Sequence, residues 1–261
     1  MNCSEFMSSY EVQCKELKLP MESGDVASWI AMNDITPANL DVLHSFLTAM
    51  QTRKQDQQVK TLKKLSRLPQ KKPCRFDSFD MSLLNSVAQE QIQSLATLSF
   101  INARRNVIMI GPPGTGKTHL AMAIGNACCE SRMKAYFIKM DELRDRFKDA
   151  IRSGSEGKLL NGLAKNSCLI IDEIGYCHFN RPETLLFFQL IDRFSLKETG
   201  SIVLTSNKDT SQWKDLFEED DALECTIDRL WDEALCYTFT GRSYRGKNQE
   251  FVSLDFLELK N

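Results

Sequence analysis

The chain has 261 residues, 42% hydrophobic and 26% charged, with a formal net charge of -2. This composition excludes wholesale disorder and suits one core domain with an appendage, or two small domains. No run approaches the roughly 18 apolar residues that span a bilayer, and MNCSEFMSSYEVQ has neither the basic start nor the apolar stretch of a signal peptide, so no membrane contact and a cytoplasmic location are expected. Nine cysteines without a CxxC pair, three of them (Cys128, Cys168 and Cys236) in apolar contexts, read as free thiols of a reducing compartment.

Charge is unevenly spread. Residues 1–50 hold 7 acids and 2 Lys or Arg, whereas residues 51–75 hold 9 basic residues and one acid. The first 70 or so residues read as helical. In ITPANLDVLHSFLTAM, Thr36 caps, Pro37 occupies the first turn, and Leu40, Leu43, Leu47 and Met50 recur at helical spacing with Phe46 beside them. Val59, Leu62 and Leu65 continue a thinner stripe, and Pro69 and Pro73 mark a linker, which places the domain boundary at 72/73.

Beyond the linker, short apolar runs alternate with amphipathic helices. NVIMI (106–110), AYFIK (135–139), CLII (168–171), SIVLT (201–205) and CYTFT (236–240) are the predicted strands. Helices are predicted over 117–130, 141–151, 157–166, 183–196 and 222–234. Such alternation implies a parallel five-stranded sheet covered by helices on both faces, an α/β domain over 73–248 followed by a tail, 249–261.

GPPGTGKTH (111–119) follows the first strand and opens a helix, matching GxxxxGK[ST]. Gly111, Pro112, Pro113, Gly114, Thr115 and Gly116 form a loop whose N–H groups can turn inward on phosphate oxygens at a helix N-terminus. Lys117 reaches the β- and γ-phosphates of a nucleotide such as ATP, and the Thr118 hydroxyl binds Mg²⁺. His119 either approaches the nucleotide or makes a helix-start hydrogen bond. CLIIDEIGY ends a buried strand in two acids: Asp172 would share the metal shell with Thr118, and Glu173 would polarise an attacking water. SIVLTSN ends in Thr205, Ser206 and Asn207; Asn207 is read as a holder of that water or a γ-phosphate sensor, against an Asx turn.

Together GPPGTGKTH, LIIDEIGY and LTSN resemble the AAA+ branch of P-loop ATPases. FDSFD, RPETLLFFQLIDRF, LTSNKDTSQWKDLF and TIDRLWDEA…GRSYR narrow the resemblance to the IstB/DnaC-like family, on the side of the insertion-sequence transposition helpers rather than the helicase loaders. The resemblance implies that Arg229 reaches a neighbouring subunit's nucleotide, against an exposed arginine paired with Asp228 or Asp232. It makes Arg245 a second sensor, with Arg242 the alternative. It implies an oligomer formed with ATP on DNA, and a transposase as partner, or a replicative helicase in the loader reading. Too few residues follow CYTFT for a helical lid domain. For DNA, the basic set Lys60, Lys63, Lys64, Arg67, Lys71 and Lys72 suits sequence-independent phosphate contact, with a solvated helix and linker equally open. Arg144, Arg146, Lys148, Arg152 and Lys158 alternate with acids and read at least as well as a solvated, ion-paired face.

Overall fold

A computed structural model describes residues 1–82, 84–197, 200–218 and 228–240. The chain divides into two compact units, Met1–Lys64 and Leu65–Asn261.

The first unit is helical: α1 (Cys3–Leu17), α2 (Ser23–Met32) and α3 (Pro37–Leu65). Each start carries a local device. Asn2 accepts from the Glu5 N–H, and the Glu5 carboxylate returns the bond to the Asn2 N–H, a capping box. Thr36 accepts from the Asn39 N–H at 3.3 Å, with Pro37 in the first turn. Phe6, Tyr10, Val26, Ile30 and Leu40 make the core, with Leu43 and Leu47 packed against it. Phe46 and Met50 do not join the core under the predicted apolar face: they stand 62% and 39% exposed.

The second unit opens with α4 (Ser86–Ala96) and α5 (Ser99–Asn102), which periodicity did not reveal because only Ile92 and Leu95 of α4 are buried. Then follow β1 (Val107–Ile110), α6 (Lys117–Glu130), β2 (Ala135–Lys139), α7 (Met140–Ser153), α8 (Glu156–Ala164), β3 (Cys168–Ile174), α9 (Arg181–Ser195), β4 (Ser201–Ser206) and β5 (Leu235–Thr238). All neighbouring strands are parallel, in the order β2-β3-β4-β1-β5. The predicted strands and helices between 106 and 196 coincide with observed ones within two residues, except that β3 runs three residues past the predicted CLII, to Ile174. Of the helix predicted over 222–234, residues 228–231 are helical and 222–227 lie outside the described residues.

β3 is buried on both faces, which is why its run is continuously apolar. Leu169, Ile170 and Ile171 are 0% exposed, each side chain contributing about 1.5–3 kcal/mol by burial. Leu169 and Ile171 join a core with Phe147, Leu190 and Leu204, while Ile170 faces Gly125 of α6. Residues 65–72, read from sequence as the end of a helix and the start of the linker marked by Pro69 and Pro73, lie in this second unit: the Phe137 N–H donates to the Ser66 carbonyl at 2.8 Å, and Leu68 is buried. The eight described cysteines are free, with Cys128, Cys129, Cys168 and Cys177 buried. Cys236 is exposed, because β5 ends the sheet and only alternate side chains are covered. Among the described residues no helix is long and apolar enough to cross a membrane.

Candidate functional site

The strand order assembles the site. β1 pairs with β4, Ile110 opposite Ser206, so the loop after β1 opens beside the end of β4. β3 pairs on the other side of β4, bringing Asp172 and Glu173 to the same edge of the sheet. A cavity of about 210 Å³ lies there, lined by Lys117, Thr118, Glu173, Tyr176, Thr205 and Asn207 among others.

The phosphate loop is held from below and from the side. Lys117 donates to the carbonyls of Gly111 and Pro112, both at 2.7 Å, and the Thr115 hydroxyl donates to Pro112 at 2.9 Å. Gly116 has φ +96°, and a Cβ there would lie 2.8 Å from a ring carbon of Phe79. Only glycine meets both conditions. Phe79 also packs against His119, 5.8 Å between ring centroids, and His119 Nε2 lies 3.2 Å from both Ser78 Oγ and the Arg75 carbonyl. His119 therefore lines the cavity while its ring is tied to the FDSFD segment.

The acids sit in unlike environments. Asp172 is 0% exposed; its Oδ1 accepts from Thr118 Oγ1 at 2.9 Å and Thr205 Oγ1 at 2.5 Å. Its Oδ2 is buried, with no hydrogen-bond partner among the described residues. Burial pushes this carboxyl above the usual aspartate range, while the two threonine hydroxyls pull it back. Thr205 also accepts the Glu173 N–H at 3.0 Å, joining the two acids through one buried hydroxyl of the central strand. Glu173 is only half-buried and bonds Lys139 at 2.7 Å, which raises the lysine above its ordinary value. Asn207 lines the same cavity, and its buried amide oxygen has no hydrogen-bond partner among the described residues.

The structure thus brings together Lys117, Thr118, Asp172, Glu173 and Asn207. It does not bring Arg229 to them: that side chain pairs with Asp192 and lines a different cavity with Arg104 and Asn106, before β1. The pairing is with Asp192, 37 residues away, rather than with Asp228 or Asp232. Arg242 and Arg245 lie outside the described residues. Lys60, Lys63 and Lys64 share one side of α3 in the first unit. Arg67 belongs to the second unit, bonded to Glu142 and lying 5.9 Å from the Tyr136 ring centre, and Lys71 and Lys72 are exposed. On α7 the cations Arg144, Arg146, Lys148 and Arg152 each pair with an acid of the same helix. Two neighbours of the site escaped the sequence reading. Phe79 was visible only inside FDSFD, and Lys139 ends an ordinary strand with no motif to mark it.

A parallel sheet in this order, a glycine loop closing on a helix start, and an acid pair beside it define an AAA+ type P-loop ATPase core. Solved structures agree at the level of fold: the DnaA initiator bound to AMPPCP and single-stranded DNA has a TM-score of 0.55 at 19% identity, covering 66% of this chain and 51% of its own. The DnaC helicase loader gives 0.52 at 19%, covering 64% and 96%. At the level of sequence, the model of IstB-like ATP-binding proteins matches residues 13–251. The ATP-binding protein of insertion sequence IS5376 from Geobacillus stearothermophilus is 34% identical over 236 residues, 89% of this chain and 91% of the relative. That of IS21 from Pseudomonas aeruginosa is 35% identical, covering 71% and 69%. The chain belongs to the IstB-like family of ATP-binding proteins.

Proposed function

We propose that this chain is an ATP-dependent, DNA-binding helper of transposition, which assembles on DNA and regulates or recruits a transposase, with hydrolysis resetting the complex. What carries the reading is a conjunction: relatives from insertion sequences across most of the chain, and a site equipped for turnover as well as binding.

The loop N–H groups and Lys117 hold the nucleotide phosphates. Mg²⁺ fits the residues present, because Asp172 offers a buried oxygen with no partner among the described residues and Thr118 a hydroxyl beside it. Bound there, the ion would supply positive charge to the phosphate oxygens. Glu173 takes the proton of the attacking water, Asn207 orients that water, and Arg229 serves the site of an adjacent subunit. Lys60, Lys63 and Lys64 supply sequence-independent phosphate contacts, the chemistry that makes binding salt-dependent.

Glu173→Gln is expected to bind ATP normally and lose turnover. An unchanged hydrolysis rate in that variant removes Glu173 from the mechanism. Sedimentation with DNA and a non-hydrolysable ATP analogue is expected to show a large assembly, and monomer alone refutes assembly. A second reading, a replicative helicase loader, has its own support: the DnaC loader of Buchnera aphidicola is 35% identical over 54% of this chain. Pull-downs with a transposase and with a replicative helicase separate the two.

A further inference from the structure

Two tryptophans that carry no part of the nucleotide chemistry meet beside it. Trp213 follows β4, Trp231 lies in the helical turn 228–231, and their rings stand 5.6 Å apart between centroids at 46°. A buried indole needs a partner for its N–H. Trp213 is 3% exposed, and its Nε1 donates to the Ser206 hydroxyl at 3.2 Å. Ser206 ends β4 and is a junction of the site. Its carbonyl accepts the Gly111 N–H of the phosphate loop at 3.2 Å. Its hydroxyl also accepts the Lys208 N–H at 3.0 Å and lies 2.9 Å from the Ile174 carbonyl, one residue past Glu173. Asn207 is its chain neighbour. In a close-packed interior, a shift at the end of β4 moves the indole bonded to it.

Trp231 carries the link onward, two positions from Arg229. Leu230 between them is 3% exposed, and its carbonyl accepts from Asn106 Nδ2 at 3.1 Å, just before β1. Arg229 itself lines its cavity with Gly200 and Ile202, at the start of β4. From Ile202 to Ser206 is about 13 Å of strand, too far for the arginine to touch the nucleotide end directly. Asn106 thus holds the turn at the base of the sheet, and the indole pair holds it from the nucleotide end.

We propose that Trp231, through Trp213, is a positioning residue for Arg229, tying the arginine that a subunit offers its neighbour to the γ-phosphate end of its own site. The inference rests on Arg229 serving an adjacent subunit and concerns how that service is regulated. Nucleotide held at Asn207 acts on the strand end to which Trp213 is bonded, and the aromatic pair passes the change to the turn that bears the arginine. Such a pair shifts an equilibrium about two- to tenfold beyond its burial, enough to bias the turn without locking it.

The test is ATP hydrolysis by mixed full-length subunits with DNA. Glu173→Gln subunits supply the arginine without turning over, and Arg229→Ala subunits supply a site without the arginine. Their mixture sets the reference recovery. Adding Trp231→Leu to the Glu173→Gln subunit is expected to lower the recovered rate at saturating ATP about two- to tenfold, with the half-saturating ATP concentration unchanged. Adding it to the Arg229→Ala subunit is expected to leave the recovery at the reference. Trp231→Phe in the arginine-supplying subunit keeps an aromatic face and is expected to restore most of the rate. A loss of equal size in both arrangements marks a general effect on folding or assembly and overturns the proposal, as does no loss in the arginine-supplying one. If the reference mixture recovers nothing, the role of Arg229 fails and the proposal falls with it. Recovery indifferent to Trp231 removes only the tryptophan.

Discussion

Thr205 carries more of the site than its place in an apolar strand suggests, and replacing it with valine isolates that contribution. Its side chain is 2% exposed, donates to Asp172 Oδ1 at 2.5 Å and accepts the Glu173 N–H at 3.0 Å. Valine has the same shape, so no cavity forms and only the polar bonds are lost. A hydrogen bond to a buried carboxylate is worth about 1.5–3 kcal/mol, and an abandoned N–H costs about 1–3 kcal/mol when no water reaches it. Glu173 is half-buried, so the second term is discounted, and Thr205→Val is expected to cost about 2–4 kcal/mol. The penalty also depends on pH. Burial raises the folded Asp172 carboxyl above its ordinary 3.8, so the folded chain holds that proton more tightly than the unfolded chain. Its stability therefore falls as pH climbs from the ordinary value to the raised one. Removing the Thr205 donor raises the carboxyl further, so the valine penalty is small in acid and grows toward neutrality. Urea unfolding of the nucleotide-free protein, followed by tryptophan fluorescence at both pH values, measures it, with Thr205→Ser as the control that keeps the hydroxyl. A valine variant within about 0.5 kcal/mol of wild type at neutral pH, the range of an ordinary surface change, refutes the reasoning.

Gly116→Ala meets both a left-handed φ and the Phe79 ring, and is expected to weaken binding of a fluorescent ATP analogue about tenfold or more. Phe79→Ala in the same chain opens the space but leaves the backbone strain, so it is not expected to restore affinity. Arg229→Ala and Glu173→Gln are each expected to be inactive, while a mixture of the two recovers part of the hydrolysis. No recovery on mixing would take Arg229 out of the role between subunits. Lys63→Ala with Lys64→Ala is expected to reduce the slope of log affinity for DNA against log salt by up to about two. An unaltered slope moves the DNA contact off α3.

GPPGTGKTH and CLIIDE were legible because their requirements are local. A loop that wraps phosphate needs glycine, lysine and a hydroxyl at set spacing, and a buried strand ending in acids has little other use. The strands were legible for a similar reason: burial on both faces leaves a continuous apolar run, as in CLII and SIVLT. Where only part of a segment is buried, pattern faded. α4 went unread, and Phe46 and Met50 were expected on a buried face but are exposed. The first residues of the second unit were read with the N-terminal helical stretch and its linker, since nothing in SRLPQKK reports that Ser66 bonds β2 and that Leu68 is buried.

The amino-acid sequence by itself determined the groups available: a glycine-rich loop with its lysine and threonine, a buried strand ending in two acids, and a polar strand end. It did not determine which strands lie side by side. The order β2-β3-β4-β1-β5 makes Thr205 the bridge between Asp172 and Glu173, sets Asn207 beside the loop, and ties Lys139 to Glu173 from the sheet edge. These links span 32 to 34 positions of chain, and only pairing register brings them within hydrogen-bond reach. Local requirements are written where they act, whereas register is a property of the whole sheet, settled only when every strand has found its neighbour.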